Sequence, residues 1–156
     1  MRSALALLAL VAAAAGGVAA QALRATEIDI GAAVAFARRD FLGVAMGVAR
    51  RAAGSQGRVG LVVAGGTLGG RLAGRLEATV QFVVTPAARS GVTPYGAMGV
   101  AYLAARGRRG AVFMTVSLGL EKAAGRRRGW FAEVGLGGGL RARLGYRWRR
   151  FPAWWR

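Results

Sequence analysis

GRLAGRLEATVQFVVT, residues 70–85, decides how this chain is read. Leu72, Leu76, Val80, Phe82 and Val84 fall on even positions, whereas Arg71, Arg75, Glu77, Thr79 and Gln81 fall on odd ones. Successive side chains of a strand point to opposite sheet faces, so a period of two predicts a strand with one apolar and one charged face. The apolar face is covered either by a second sheet, in a soluble β protein, or by lipid, in a membrane barrel.

The alternation recurs on both sides of this stretch. Glu27 to Phe36 sets Ile28, Ile30, Val34 and Phe36 against Glu27 and Asp29. Phe41 to Ala49 sets Leu42, Val44, Met46 and Val48 against glycine and alanine. Further strands are expected at Arg58 to Ala64, where Val62 blurs the pattern, at Tyr95 to Ala104, at Ala111 to Glu121, at Trp130 to Leu136 and at Leu140 to Arg149. Strands spaced this regularly and divided by Gly- and Arg-rich turns predict an all-β, antiparallel up-and-down barrel of about eight strands. No segment after residue 21 carries a helical stripe.

Which face is wet follows from composition. Five of the six acidic residues, Glu27, Asp29, Glu77, Glu121 and Glu133, share the parity opposite the large aliphatics, as do Arg71, Arg75, Arg141, Arg143 and Arg147. The rest of that face is mostly small, and the chain holds 26 glycines. On the outside of a soluble barrel glycine is a poor strand residue. Inside a narrow membrane barrel, small residues make room for long charged ones. The segments also approach the roughly 9–11 residues that a tilted transmembrane strand needs. Phe36, Phe41, Phe82, Tyr95, Tyr102, Trp130, Phe131, Tyr146 and Trp148 lie at or near strand ends, the distribution expected of aromatic girdles at the two membrane interfaces. The reading is a transmembrane barrel whose lumen is filled by a structural Arg/carboxylate cluster.

Residues 1–20, MRSALALLALVAAAAGGVAA, have a basic start, an apolar middle and a small-residue end, the pattern of a cleaved export signal. Residues 21–156 then form a single barrel domain. Export changes the meaning of the net charge of +17, which comes almost wholly from arginine. A cytosolic chain this basic would suggest nucleic acid. Behind an export signal, lipid phosphates and paired carboxylates are the expected partners, and nucleic acid is not.

The end of the chain carries a further mark. In RLGYRWRRF, residues 143–151, Arg143, Gly145 and Trp148 follow the order polar, glycine, aromatic. This segment is similar to the C-terminal assembly signal of outer-membrane barrels, and the mature chain resembles the small barrels of the OmpA/OmpX-like kind. The resemblance implies outer-membrane placement and delivery by the outer-membrane assembly machinery. Two features depart from it. Arg150 stands where a last apolar residue is expected, and PAWWR continues past the usual end. The longer connections, near Ala52–Gly57, Pro86–Pro94 and Ala123–Gly129, also fall on the periplasmic side, where such barrels have short turns. Either the strand count is off by one or the outer loops are short.

Catalysis is not expected. Without histidine there is no Ser-His-Asp triad, His-ligated metal or His general base. Glu27 and Asp29 could offer oxygen to a cation, but pairing with lumenal arginine is favoured, because unpaired buried carboxylates are costly. GLGGGL, residues 135–140, reads as a hairpin turn, since no helix follows it to make a phosphate loop. No metal or cofactor is expected. ARGRRG (105–110) and AGRRRG (124–129) are either solvated turns or grips for anionic headgroups. The expected function is non-enzymatic, namely a structural, surface-interaction or adhesive outer-membrane barrel. The alternative is a soluble periplasmic barrel binding a small apolar ligand.

Overall fold

A computed structural model describes residues 24–51 and 56–155. The export signal expected at 1–20, and residues 52–55 of the turn expected at Ala52–Gly57, lie outside the described residues. Eight antiparallel strands form one closed barrel: β1 (Ala25–Phe36), β2 (Phe41–Arg51), β3 (Gly57–Leu68), β4 (Arg71–Val83), β5 (Val92–Ala105), β6 (Ala111–Lys122), β7 (Arg128–Leu136) and β8 (Leu140–Arg150). Each strand pairs with its neighbours in sequence, and β8 closes on β1 with Asp29 opposite Arg147 and Gly31 opposite Gly145. The count of eight removes one of the two readings above: the connections at the end away from the chain termini are short.

Those far-end connections comprise residues 37–40, 69–70, 106–110 and 137–139. Gly69 and Gly70 make the tightest of them with φ of 54° and 80°, a left-handed path that glycine enters without a Cβ penalty. The end bearing the termini has connections of five, eight and five residues at 52–56, 84–91 and 123–127.

The barrel is inside-out relative to a soluble protein. Ile28, Val48, Leu61, Leu76, Val100, Leu118 and Leu144 are exposed on its outer wall, whereas Glu27, Asp29, Glu77, Glu121 and Glu133 are buried inside. Such a wall is stable only against an apolar medium, so the fold is a transmembrane barrel, with every backbone ladder closed on itself. Inside, the narrow bore forces strands into close approach at a few points. A Cβ on Gly31 would lie 2.7 Å from the Cα of Gly145, so this facing pair of glycines lets β1 and β8 meet.

Facing follows parity along the strands, which corrects three expectations, and a rim position corrects a fourth. Phe41 and Tyr95 do not join a girdle: they point inward and are 3% and 2% exposed. Phe131, also expected near an interface, is fully buried in the lumen. Each sits beside outward-facing even-numbered neighbours, so strand parity outweighs nearness to a strand end. Arg71 is the fourth. It opens β4 just past the Gly69–Gly70 turn, above the filled part of the bore, and is exposed with its guanidinium beside Gly107. Val62, the residue that blurred β3, is buried inside, whereas Val59, Leu61 and Val63 face out.

Candidate functional site

Three layers fill the lumen. Nearest the termini, Glu27 accepts from Arg51 Nη2 at 2.7 Å and Nε at 3.1 Å, and from Arg58 Nη1 at 2.7 Å. The same Arg58 Nη1 donates to Glu121 at 3.0 Å. Glu121 also holds Arg147, and Arg149 Nη2 lies 3.1 Å from it. Asp29 continues the layer inward, accepting from Arg143 at 2.8 Å and Arg147 at 3.2 Å. Arg58 Nε is satisfied by Gln81 at 2.7 Å.

The second layer is built on Glu77 and Glu133. Glu77 accepts from Arg141, from Arg75 Nη2 at 3.2 Å and from the Thr115 hydroxyl at 3.3 Å. Arg141 spans to Glu133 at 2.8 Å, which also accepts from the Tyr95 hydroxyl at 3.0 Å. Tyr95 and Phe131 separate the two layers. The guanidiniums of Arg58 and Arg147 lie 5.1 and 4.6 Å from the ring centres of Tyr95 and Phe131, so the aromatics stack against the cations. The third layer, toward the far end, is apolar: Ala33, Ala35, Phe41, Ala45, Val62, Ala64 and Ala73 pack together.

The sequence-predicted residues Glu27, Asp29, Arg75, Glu77, Glu121, Glu133, Arg141, Arg143 and Arg147 are thus brought into the lumen, and Arg71 is not. Arg51, Arg58 and Arg149 belong to the network although they were not singled out. Their signal was parity. Arg51 continues the odd face of β2, Arg58 the face of Gly60 and Ala64, and Arg149 the face of Arg147. Among the expected girdle residues, Phe82, Tyr146 and Trp148 are exposed toward the terminal end with Trp130 half-buried beside them, and Phe36 and Tyr102 are exposed toward the far end.

All eight strands contribute at least one side chain to these layers. One cavity in the bore, of about 20 Å³ beside Ala33, Phe41, Val62 and Arg75, has space for about one water. The chemistry available is electrostatic cross-linking. Among the described residues there is no group of acidic, His or Cys side chains able to hold a metal ion.

Eight strands close into a meander with an apolar outer wall and a bore filled largely by ion pairs. The fold is that of a small outer-membrane β-barrel. The N-terminal barrel domain of Pseudomonas aeruginosa OprF is similar over 81% of this chain and 97% of its own, with TM-score 0.62 and 16% identity. Pseudomonas aeruginosa OprG is similar over 87% of this chain and 100% of its own, with TM-score 0.63 and 11% identity. Neisserial surface protein A is similar over 81% and 95%, with TM-score 0.54 and 11% identity. No family model matches the chain, and no curated protein matches it by sequence.

Proposed function

We propose that this protein is a non-catalytic outer-membrane barrel with a structural role, its lumen plugged by Arg/carboxylate pairs. The filled lumen carries the reading. Seven buried arginines and five buried carboxylates occupy a bore that eight strands leave just wide enough for side chains. Outer-membrane placement is supported by the export-like residues 1–20 and by the fold's likeness to outer-membrane barrels. Delivery through the assembly machinery is part of the same proposal. An adhesive role finds less support, because an adhesin needs surface at its outer end and the far-end connections are only two to five residues long. The soluble alternative is disfavoured: it needs an apolar interior for its ligand, and this interior buries twelve charged side chains while the large apolar side chains face out.

Single-channel recording in planar bilayers, on protein shown to fold by heat-modifiable gel mobility, tests the proposal. The expected result is insertion without steady conductance. Large, stable conductance steps from the wild type would overturn it.

A further inference from the structure

The connections at the terminal end carry chemistry that the lumen does not absorb. Residues 84–91 and 123–127 are tied together: Arg126 Nε donates to the Arg89 carbonyl at 2.5 Å, and the Gly125 N–H donates to the Ala88 carbonyl at 2.7 Å. The tail past β8 braces both. The Trp155 indole N–H donates to the Gly125 carbonyl at 2.9 Å, and the Arg89 guanidinium lies over the Trp155 ring, 4.5 Å from its centre. Between these braced connections and the barrel wall lies a cleft of about 560 Å³, within the range of small-ligand sites.

Lys122, Arg126, Arg127 and Arg128 border this cleft, and all four are exposed. No carboxylate lines it. Among the described residues, five carboxylates are buried in the lumen and the sixth, Asp40, sits at the far end, so no acidic side chain among them lies beside these cations. The cleft's other border is Trp130 and Tyr146, which face each other across the β7–β8 ladder on the outer wall. Tyr146 also packs edge-on against Trp148, 5.1 Å between ring centres. Tryptophan and tyrosine on a lipid-facing wall sit at headgroup level. A cationic cleft opening at that level meets phosphate esters.

We propose that this cleft binds the phosphate of an anionic membrane lipid in the leaflet on the terminal side. Guanidiniums of Arg126, Arg127 and Arg128 fork onto the phosphate oxygens, and the aromatic pair holds the glycerol and upper chains. The inference rests on the membrane-barrel reading. It separates the two Arg-rich turns of the sequence, since only AGRRRG borders the cleft.

All four tryptophans, Trp130, Trp148, Trp154 and Trp155, lie at the terminal end, so their fluorescence reports on this leaflet. The full barrel is inserted in phosphatidylcholine vesicles, with heat-modifiable mobility as the check on folding, and titrated with brominated phosphatidylglycerol or brominated phosphatidylcholine. The wild type is expected to favour phosphatidylglycerol, by about fivefold per contributing guanidinium at low salt. Arg126→Gln/Arg127→Gln/Arg128→Gln loses that preference, and Arg127→Gln alone loses about one fivefold step. Arg106→Gln/Arg108→Gln/Arg109→Gln, the same charge loss at the far end, keeps it. Equal loss in both triple variants, or no loss in either, would overturn the site. Quenching relieved equally by free glycerol phosphate would overturn the lipid as its source. Failure of the wild type to insert is a different result, and would remove the barrel reading itself.

Discussion

Replacing Glu27 by Gln preserves side-chain volume and removes one charge from the most crowded part of the lumen. Glu27 is fully buried, bonded to Arg51 and Arg58, with Arg149 and Arg147 at 3.6 and 3.8 Å. Unit charges 4 Å apart attract by about 4 kcal/mol at an effective dielectric near 20. The two hydrogen-bonded partners alone therefore supply about 8 kcal/mol gross, and the relieved desolvation of the carboxylate returns several. The net cost should be about 3–5 kcal/mol. The lumen already holds two more arginines than carboxylates, so Glu27→Gln widens an existing imbalance. Arg149→Gln should do the opposite. Its main partner, Glu121, keeps Arg58 and Arg147, and the excess positive charge shrinks. That variant should stay within about 1 kcal/mol of wild type, the scale of one net hydrogen bond. Reversible urea unfolding in lipid vesicles, followed by tryptophan fluorescence, measures both. The charge accounting is refuted if Glu27→Gln costs under about 1 kcal/mol, or if Arg149→Gln costs as much as Glu27→Gln.

Two further outcomes follow from the wall. Leu76→Arg, on the outer face near the middle of β4, should cost about 2–4 kcal/mol of folding free energy in vesicles, and Val92→Arg, at the terminal rim, about 0–1 kcal/mol. Equal costs at the two depths would mean that no lipid gradient covers this face. Gly145→Val should block closure of β1 on β8, because its Cβ would lie 2.8 Å from the Gly31 Cα, whereas Gly74→Val meets nothing closer than 3.9 Å. Gel mobility before and after heating separates them, and a fully compact Gly145→Val species would show that the seam has slack.

The strands were legible because lipid outside and charge inside impose opposite chemistry on successive residues. β4, β6 and β8 alternate almost without fault, and their expected bounds differ from the observed ones by at most two residues. Legibility failed where the chain stops alternating in kind. The alternation predicts a third strand that ends at Ala64, whereas β3 runs to Leu68, because Gly65, Gly66 and Thr67 carry no facing signal. Arg50-Arg51 and Arg149-Arg150 look like turn charge, yet one member of each pair enters the lumen and the other stays in solvent. Phe41, Tyr95 and Phe131 show that distance from a strand end does not set an aromatic's face. The terminal cleft was beyond reach for another reason: it depends on Trp155 folding back onto Gly125 and Arg89, contacts that no local pattern encodes.

The distribution of lumenal charge between strands also explains how closure is specified. β8 brings Arg141, Arg143, Arg147 and Arg149 to the bore and no carboxylate, while β1 brings Glu27 and Asp29 and no arginine. Until the two meet, β8 is a ladder of like charges whose stems have no acidic partner on their own strand. A register slip by one residue would turn all four arginines outward, at a cost that reaches about 2–4 kcal/mol near the midplane and falls toward Arg141 and Arg149 at the two ends of β8. A slip by two would keep them inside but move Arg147 off its place opposite Asp29. The native register alone puts Arg147 opposite Asp29 and within reach of Glu121, with Arg143 on the other oxygen of Asp29. The facing glycines at 31 and 145 permit the close approach that this register needs. Hydrophobic alternation therefore chooses the face, and ion pairing across the β1–β8 seam chooses the register.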